Sequence, residues 1–131
     1  MRSHRRPEYV PLSTPNGPAV VHSSDASLVT AAKPARAGEI LTLFASGLGP
    51  TRPGVDPGQP FTADLLQVVN SPVQVLVNGN PADVLYAGGY AGAVDGYQVN
   101  FRVPDGAIPG QVSLQLTSAW IAGPSVSIPV R

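Results

Sequence analysis

Between Gly96 and Pro104 the chain reads Tyr97-Gln98-Val99-Asn100-Phe101-Arg102-Val103, apolar and polar residues in strict alternation. A period of two belongs to an extended strand with one buried face, because successive strand side chains point to opposite sides. The pattern predicts that Tyr97, Val99, Phe101 and Val103 enter a core. Gln98, Asn100 and Arg102 are then left facing water or a neighbouring element.

Weaker runs repeat the same period. Residues 19–23 and 27–30 are expected to be two short strands about a polar turn at Ser24-Asp25. Gly38 opens residues 39–46, where Ile40, Leu41, Leu43 and Phe44 would supply a core strand. Residues 73–77 and 82–87 flank Asn78-Gly79-Asn80-Pro81, a hairpin signal, since Asn-Gly readily takes the positive φ angles of a type I′ turn. Residues 111–117 place Val112, Leu114 and Leu116 on one face, and residues 124–130 do the same with Val126, Ile128 and Val130. No window of helical length shows i, i+3, i+4 spacing, although residues 62–69 fit a single helical turn or a strand equally.

Glycine and proline punctuate these runs. A long loop is expected from Gly47-Leu48-Gly49-Pro50 to about Pro60, and a flexible loop over Gly88-Gly89-Tyr90-Ala91-Gly92-Ala93. Residues 1–18, with Pro7, Pro11, Pro15 and Pro18, read as an extended arm, and residues 19–131 as the domain. About seven or eight short strands joined by turns predict an all-β fold, an antiparallel two-sheet immunoglobulin-like sandwich with short turns and one long Gly/Pro-rich loop. A small barrel is the alternative.

Composition narrows the function classes. A chain of 131 residues supports one core, and charged residues are only 12% with a formal net charge of zero, so no basic field exists to neutralise phosphates. Nucleic acid is not an expected partner, and Arg2, Arg5 and Arg6 read as a solvated tail. Cysteine is absent, which excludes disulfides, thiolate metal sites and a cysteine nucleophile while leaving the compartment open. No stretch approaches the ~20 apolar residues of a membrane-spanning helix. The 14 glycines and 15 prolines, set against 43% hydrophobic residues, indicate many turns rather than disorder.

Candidate chemistry is sparse. His22 lies near Ser23, Ser24, Asp25 and Ser27, the residue types of a hydrolase triad, but no Gly-x-Ser-x-Gly elbow accompanies them, and strand-and-turn capping is the favoured reading. His4, the other histidine, sits in the arm, too far along the chain to suggest a zinc pair. Asp56, Asp64, Asp83, Asp95 and Asp105 are scattered through turns without a calcium-loop spacing. Gly88-Gly89-Tyr90-Ala91-Gly92 lacks the lysine and helix of a phosphate cradle. Tyr86, Tyr90 and Trp120 are the aromatics placed to form a binding surface, with Tyr86 in the core and Trp120 over one end of the fold as the plainer reading. Gln98, Asn100 and Arg102 are either a solvated strand face or a hydrogen-bonding brace for the long loop.

Five pieces of the chain, in order, resemble a bacterial secreted module, the Solibacter-type uncharacterised C-terminal domain family. They are Pro34-Ala35 with Gly38-Glu39; Leu43-Phe44-Ala45-Ser46-Gly47-Leu48-Gly49; residues 75–79; Tyr86-Ala87-Gly88; and Gly96-Tyr97-Gln98-Val99-Asn100 with Val103-Pro104. The resemblance covers residues from about 20 to 131 and implies a fold like the IPT/TIG domains of transcription factors and plexins. It implies an extracellular or cell-surface location, with the export signal outside this chain, and brings neither a catalytic residue nor a cofactor.

The resulting expectation is a non-catalytic extracellular structural or adhesion module whose partners are other domains or copies of the same chain. β-strand augmentation is the expected mode, with the arm along a neighbouring copy's sheet edge. The alternative is a carbohydrate-binding module using Tyr90 and Trp120 as stacking platforms. A hydrolase centred on His22 is the third reading.

Overall fold

The computed structural model describes residues 10–15, 17–56, 58–63, 66–119 and 121–131. Among these residues there is no helix. Their strands are β1 (Val10–Pro11), β2 (Ser13–Thr14), β3 (Gly17–Pro18), β4 (Val20–His22), β5 (Ile40–Ser46), β6 (Thr51–Arg52), β7 (Val68–Val69), β8 (Val73–Val77), β9 (Asn80–Gly89), β10 (Gly96–Arg102), β11 (Gly110–Ser118) and β12 (Ile121–Val130).

The alternating run is β10, and it lies near the middle of the sheet. Val99 and Phe101 are fully buried, Tyr97 and Val103 nearly so, while Gln98 and Asn100 are half-buried and Arg102 is exposed. Each large apolar side chain taken out of water in this way contributes about 1.5–3 kcal/mol. The hairpin also forms. Val77 pairs with Asn80, so Asn78 and Gly79 alone make the turn, with φ angles of 50° and 82°. Positive φ at both positions is the type I′ geometry whose twist matches that of the flanking strands.

Hydrogen bonding runs along one path, β1-β5-β10-β9-β8-β11-β12, antiparallel throughout, with β4 beside β5 and β6-β7 beside β9. β9 is the pivot: residues 80–82 pair with β8, and residues 83–89 pair with β10 across an irregularity opposite Asn100 and Phe101. The two ends of the path approach each other. Ala35 bridges Val130 in parallel, with Ala35 N donating to Pro129 O at 3.0 Å and Arg131 N donating to Ala35 O at 2.8 Å. At the other end of the seam β1 and β3 lie against β12. The connectivity is that of a nearly closed, barrel-like antiparallel sheet around a core of Leu41, Leu43, Val75, Val99, Phe101, Leu114 and Ile128.

Three local expectations need correction, and one open alternative, over residues 62–69, is decided in favour of strand. In β5 the buried row is Leu41, Leu43 and Ala45, whereas Ile40 and Phe44 are half-buried on the opposite face. A run with apolar side chains at both parities does not reveal which phase faces the core. Residues 88–89 are not loop but the end of β9, and their glycines are close-packed: a Cβ on Gly89 would lie 2.3 Å from Phe61 Cγ, and one on Gly88 would lie 2.6 Å from Gln67 O. Within residues 62–69 the described residues contain no helical turn, and Val68–Val69 is a strand pairing with β6 and β9. Of residues 27–30, only isolated bridges form, Val21 to Leu28 and Thr30 to Lys33. Residues 1–9 of the expected arm lie outside the described residues. Val10–Pro11 pairs with Ser46–Ala45 of the same chain, and β2 pairs with β3.

Candidate functional site

The strand pairing brings His22 opposite Leu41, at the end of β5 where Glu39 enters, and the ring is buried. Nε2 lies 2.9 Å from Lys33 O; a carbonyl only accepts, so Nε2 carries a proton. Nδ1 meets Glu39 Oε2 in a side-chain hydrogen bond. Glu39 Oε1 also accepts from Arg36 N at 3.0 Å. His22 therefore ties β4 to the entry of β5 and to the 30–36 segment.

The other triad residue types are directed elsewhere. Asp25 accepts from Ser27 N at 2.9 Å and from Ser27 Oγ at 2.6 Å, an Asx turn, and it pairs with Lys33 Nζ. The Lys33 ammonium and then the Ser27 donors hold the exposed Asp25 carboxyl well below the usual carboxylate range. Ser23 Oγ lies 2.8 Å from Thr42 Oγ1 rather than on the imidazole. No Ser-His-Asp relay assembles among the described residues, because Nε2 of His22, the nitrogen that would face a nucleophile, meets the Lys33 carbonyl.

A second polar line joins two strands and the residue that follows a third. Thr42 Oγ1 donates to Asn100 Oδ1 at 2.8 Å, which leaves Ser23 Oγ as the donor in its own contact with Thr42. Asn100 on β10 is thus joined through β5 to the residue after β4. Arg102 Nη1 donates to Gly38 O at 3.1 Å, and Gln98 stands between its cross-strand neighbours Phe44 and Gly88. None of these bonds reaches the 47–60 loop. That loop is held by Tyr97 Oη donating to Gly49 O at 2.6 Å and by Gly47 N donating to Asp95 Oδ1 at 3.1 Å. Burial, and then the neighbouring Asp95 charge, push the Tyr97 hydroxyl pKa up, so the donor stays protonated. Beneath the loop lies a cleft of about 350 Å³ lined by Gly49, Asp56, Phe61, Val94, Asp95 and Tyr97 among others. No group of three His, Asp or Glu side chains able to hold a metal occurs among the described residues.

Of the aromatics, Tyr90 is 46% exposed and meets Phe44 edge to face at 5.2 Å between ring centroids. With Leu12, Ala19 and Ala93 the two rings line an open groove of about 340 Å³ on the side of β5 and β10 away from the core. Tyr86 is half-buried with its hydroxyl over Gly88. Trp120 and Asp64 lie outside the described residues. Sequence reasoning missed Glu39, Thr42 and Phe44 as partners of the residues it singled out. Their separations, 17 positions for His22 with Glu39 and 58 for Thr42 with Asn100, carry no local signal. No protein-family model, no curated protein and no solved structure matches this chain.

Proposed function

We propose that this chain is a non-catalytic structural or adhesion module of a secreted or surface protein, built as a two-layer immunoglobulin-like fold of the Solibacter-type C-terminal kind. The observation that carries the reading is the use made of its polar side chains. His22, Glu39, Ser23, Thr42, Asn100 and Arg102 bond one another or the backbone and fasten β4, β5 and β10 together. Such bonds hold a shape, and none of them sets a hydroxyl against the His22 imidazole. The change of partner along β9, from β8 to β10, supports the two-layer description. Its partners are other domains or further copies of the chain. Protease shaving of intact cells that express the whole reading frame tests location: peptides of this chain released from intact cells support the reading, and peptides recovered only after lysis refute it.

A second reading, glycan binding, is favoured by the exposed Tyr90 ring at the mouth of the Phe44 groove. A glycan array compares the chain with Tyr90→Ala. Retention lost in that variant supports the reading, and no retention on any polysaccharide removes it.

A further inference from the structure

The edge of β5 opposite β10 is covered by two collinear pieces of chain. Val20–His22 pairs with Leu43–Leu41, and Val10–Pro11 pairs with Ser46–Ala45, both antiparallel. Where they meet, Leu12 N donates to Phe44 O at 2.9 Å and Phe44 N donates to Ala19 O at 3.0 Å. Ser13–Thr14 and Gly17–Pro18 leave this line paired as β2 and β3, and their neck is closed by Ala19 N donating to Leu12 O at 2.9 Å.

We infer that residues 10–12 are an exchangeable strand, and that the end of β5 they cover is a docking edge for the same residues of a second copy of this chain. The occupant is identified because it is already seated there within one chain. Its bonds to β5 are main-chain bonds, and Leu12 remains 41% exposed. A main-chain ladder is read by register, so an identical segment from another copy satisfies the same edge.

The connection favours transfer. Thr14 and Gly17 each precede a proline, and a residue before proline prefers extended backbone. Opened out, residues 13–18 span about 20 Å at roughly 3.3 Å per residue, enough to carry the strand away from its own sheet. An emptied β5 edge would leave N–H and C=O groups without partners, which drives recapture of an equivalent strand. Closure within the chain competes at an effective concentration on the order of 1 mM for a short linker. Exchange is therefore expected between copies held together at about that density, as in an array, and not in dilute solution. This extends the copy-to-copy contact of the proposed module, yet it is read on the purified chain, so it fails independently of the cellular location.

The absence of cysteine gives a clean test. Two single variants, Val10→Cys and Ser46→Cys, are mixed at about 10 μM, far below the competing intrachain closure, and at about 1 mM, where exchange matches it, and oxidised. A disulfide-linked heterodimer that rises at least about tenfold between those concentrations is the expected result. Absence of the heterodimer at the higher concentration, with both variants folded by circular dichroism, overturns the inference. Light scattering on the native chain supplies a second measurement that needs no cysteine. A dimer at the higher concentration that is lost in the Pro15→Ala, Pro18→Ala variant supports exchange, and a monomer throughout overturns it.

Discussion

Replacing His22 by alanine tests whether the histidine is a fastener. The ring is 4% exposed, so its bonds are made away from bulk water. One of them, to the Lys33 carbonyl, is worth about 1 kcal/mol, and the other, to the Glu39 carboxylate, about 1.5–3 kcal/mol. The carbonyl stays behind without its donor, whereas the Glu39 side chain, 24% exposed, regains water. The expected loss is therefore about 3 kcal/mol. Equilibrium urea unfolding followed by far-ultraviolet circular dichroism reads it directly: at a slope of about 1.5 kcal/mol/M the midpoint falls by about 2 M. A cycle with Glu39→Ala isolates the pair, and a coupling of at least about 1.5 kcal/mol is expected. A midpoint shift under about 0.5 M, or losses from the two substitutions that add within roughly 0.3 kcal/mol, would refute the fastening role.

Three further outcomes follow from the geometry. Gly89→Ala drives a methyl into the Phe61 ring and is expected to cost about 1–3 kcal/mol, while Gly106→Ala, with open space around it, changes the melting temperature little; equal effects would contradict the packing. Thr42→Val leaves Ser23 Oγ and Asn100 Oδ1 without their shared hydroxyl, and a loss of about 1–3 kcal/mol with faster amide exchange in β4 is expected. Tyr97→Phe removes the bond to Gly49 O, about 1 kcal/mol, measured by urea unfolding at neutral pH. Because the folded-state pKa of Tyr97 lies above the ordinary 10.0, the native state keeps that proton where the unfolded chain loses it. The Tyr97 contribution is then present in full below pH about 10 and declines as pH rises through the folded-state value, so the wild-type minus Tyr97→Phe difference should shrink in alkali.

The parts of the fold legible from sequence are those set by neighbours in the chain. The alternation in residues 96–104 fixed both the extended conformation of β10 and which of its faces is buried, and Asn78-Gly79 fixed the turn of the β8–β9 hairpin. The apolar run in β5 gave the strand but not its phase, since both faces carry apolar side chains and only the covering elements distinguish them. Gly88-Gly89 read as looseness, because a glycine selected for close approach and one selected for freedom are the same residue. The triad types around His22 were adjacent in sequence, and the strand pairing sent each to a different partner.

By itself, the amino-acid order decided that this chain is all-β, because side-chain period and turn chemistry act over two to four residues. What only the tertiary structure decided is how the strands join: β9 changing partners at residue 82, Ala35 meeting Val130, and the first strands lying beside residues 41–46. Those contacts link positions far apart along the chain, and their selection depends on the simultaneous burial of many side chains that no local window contains.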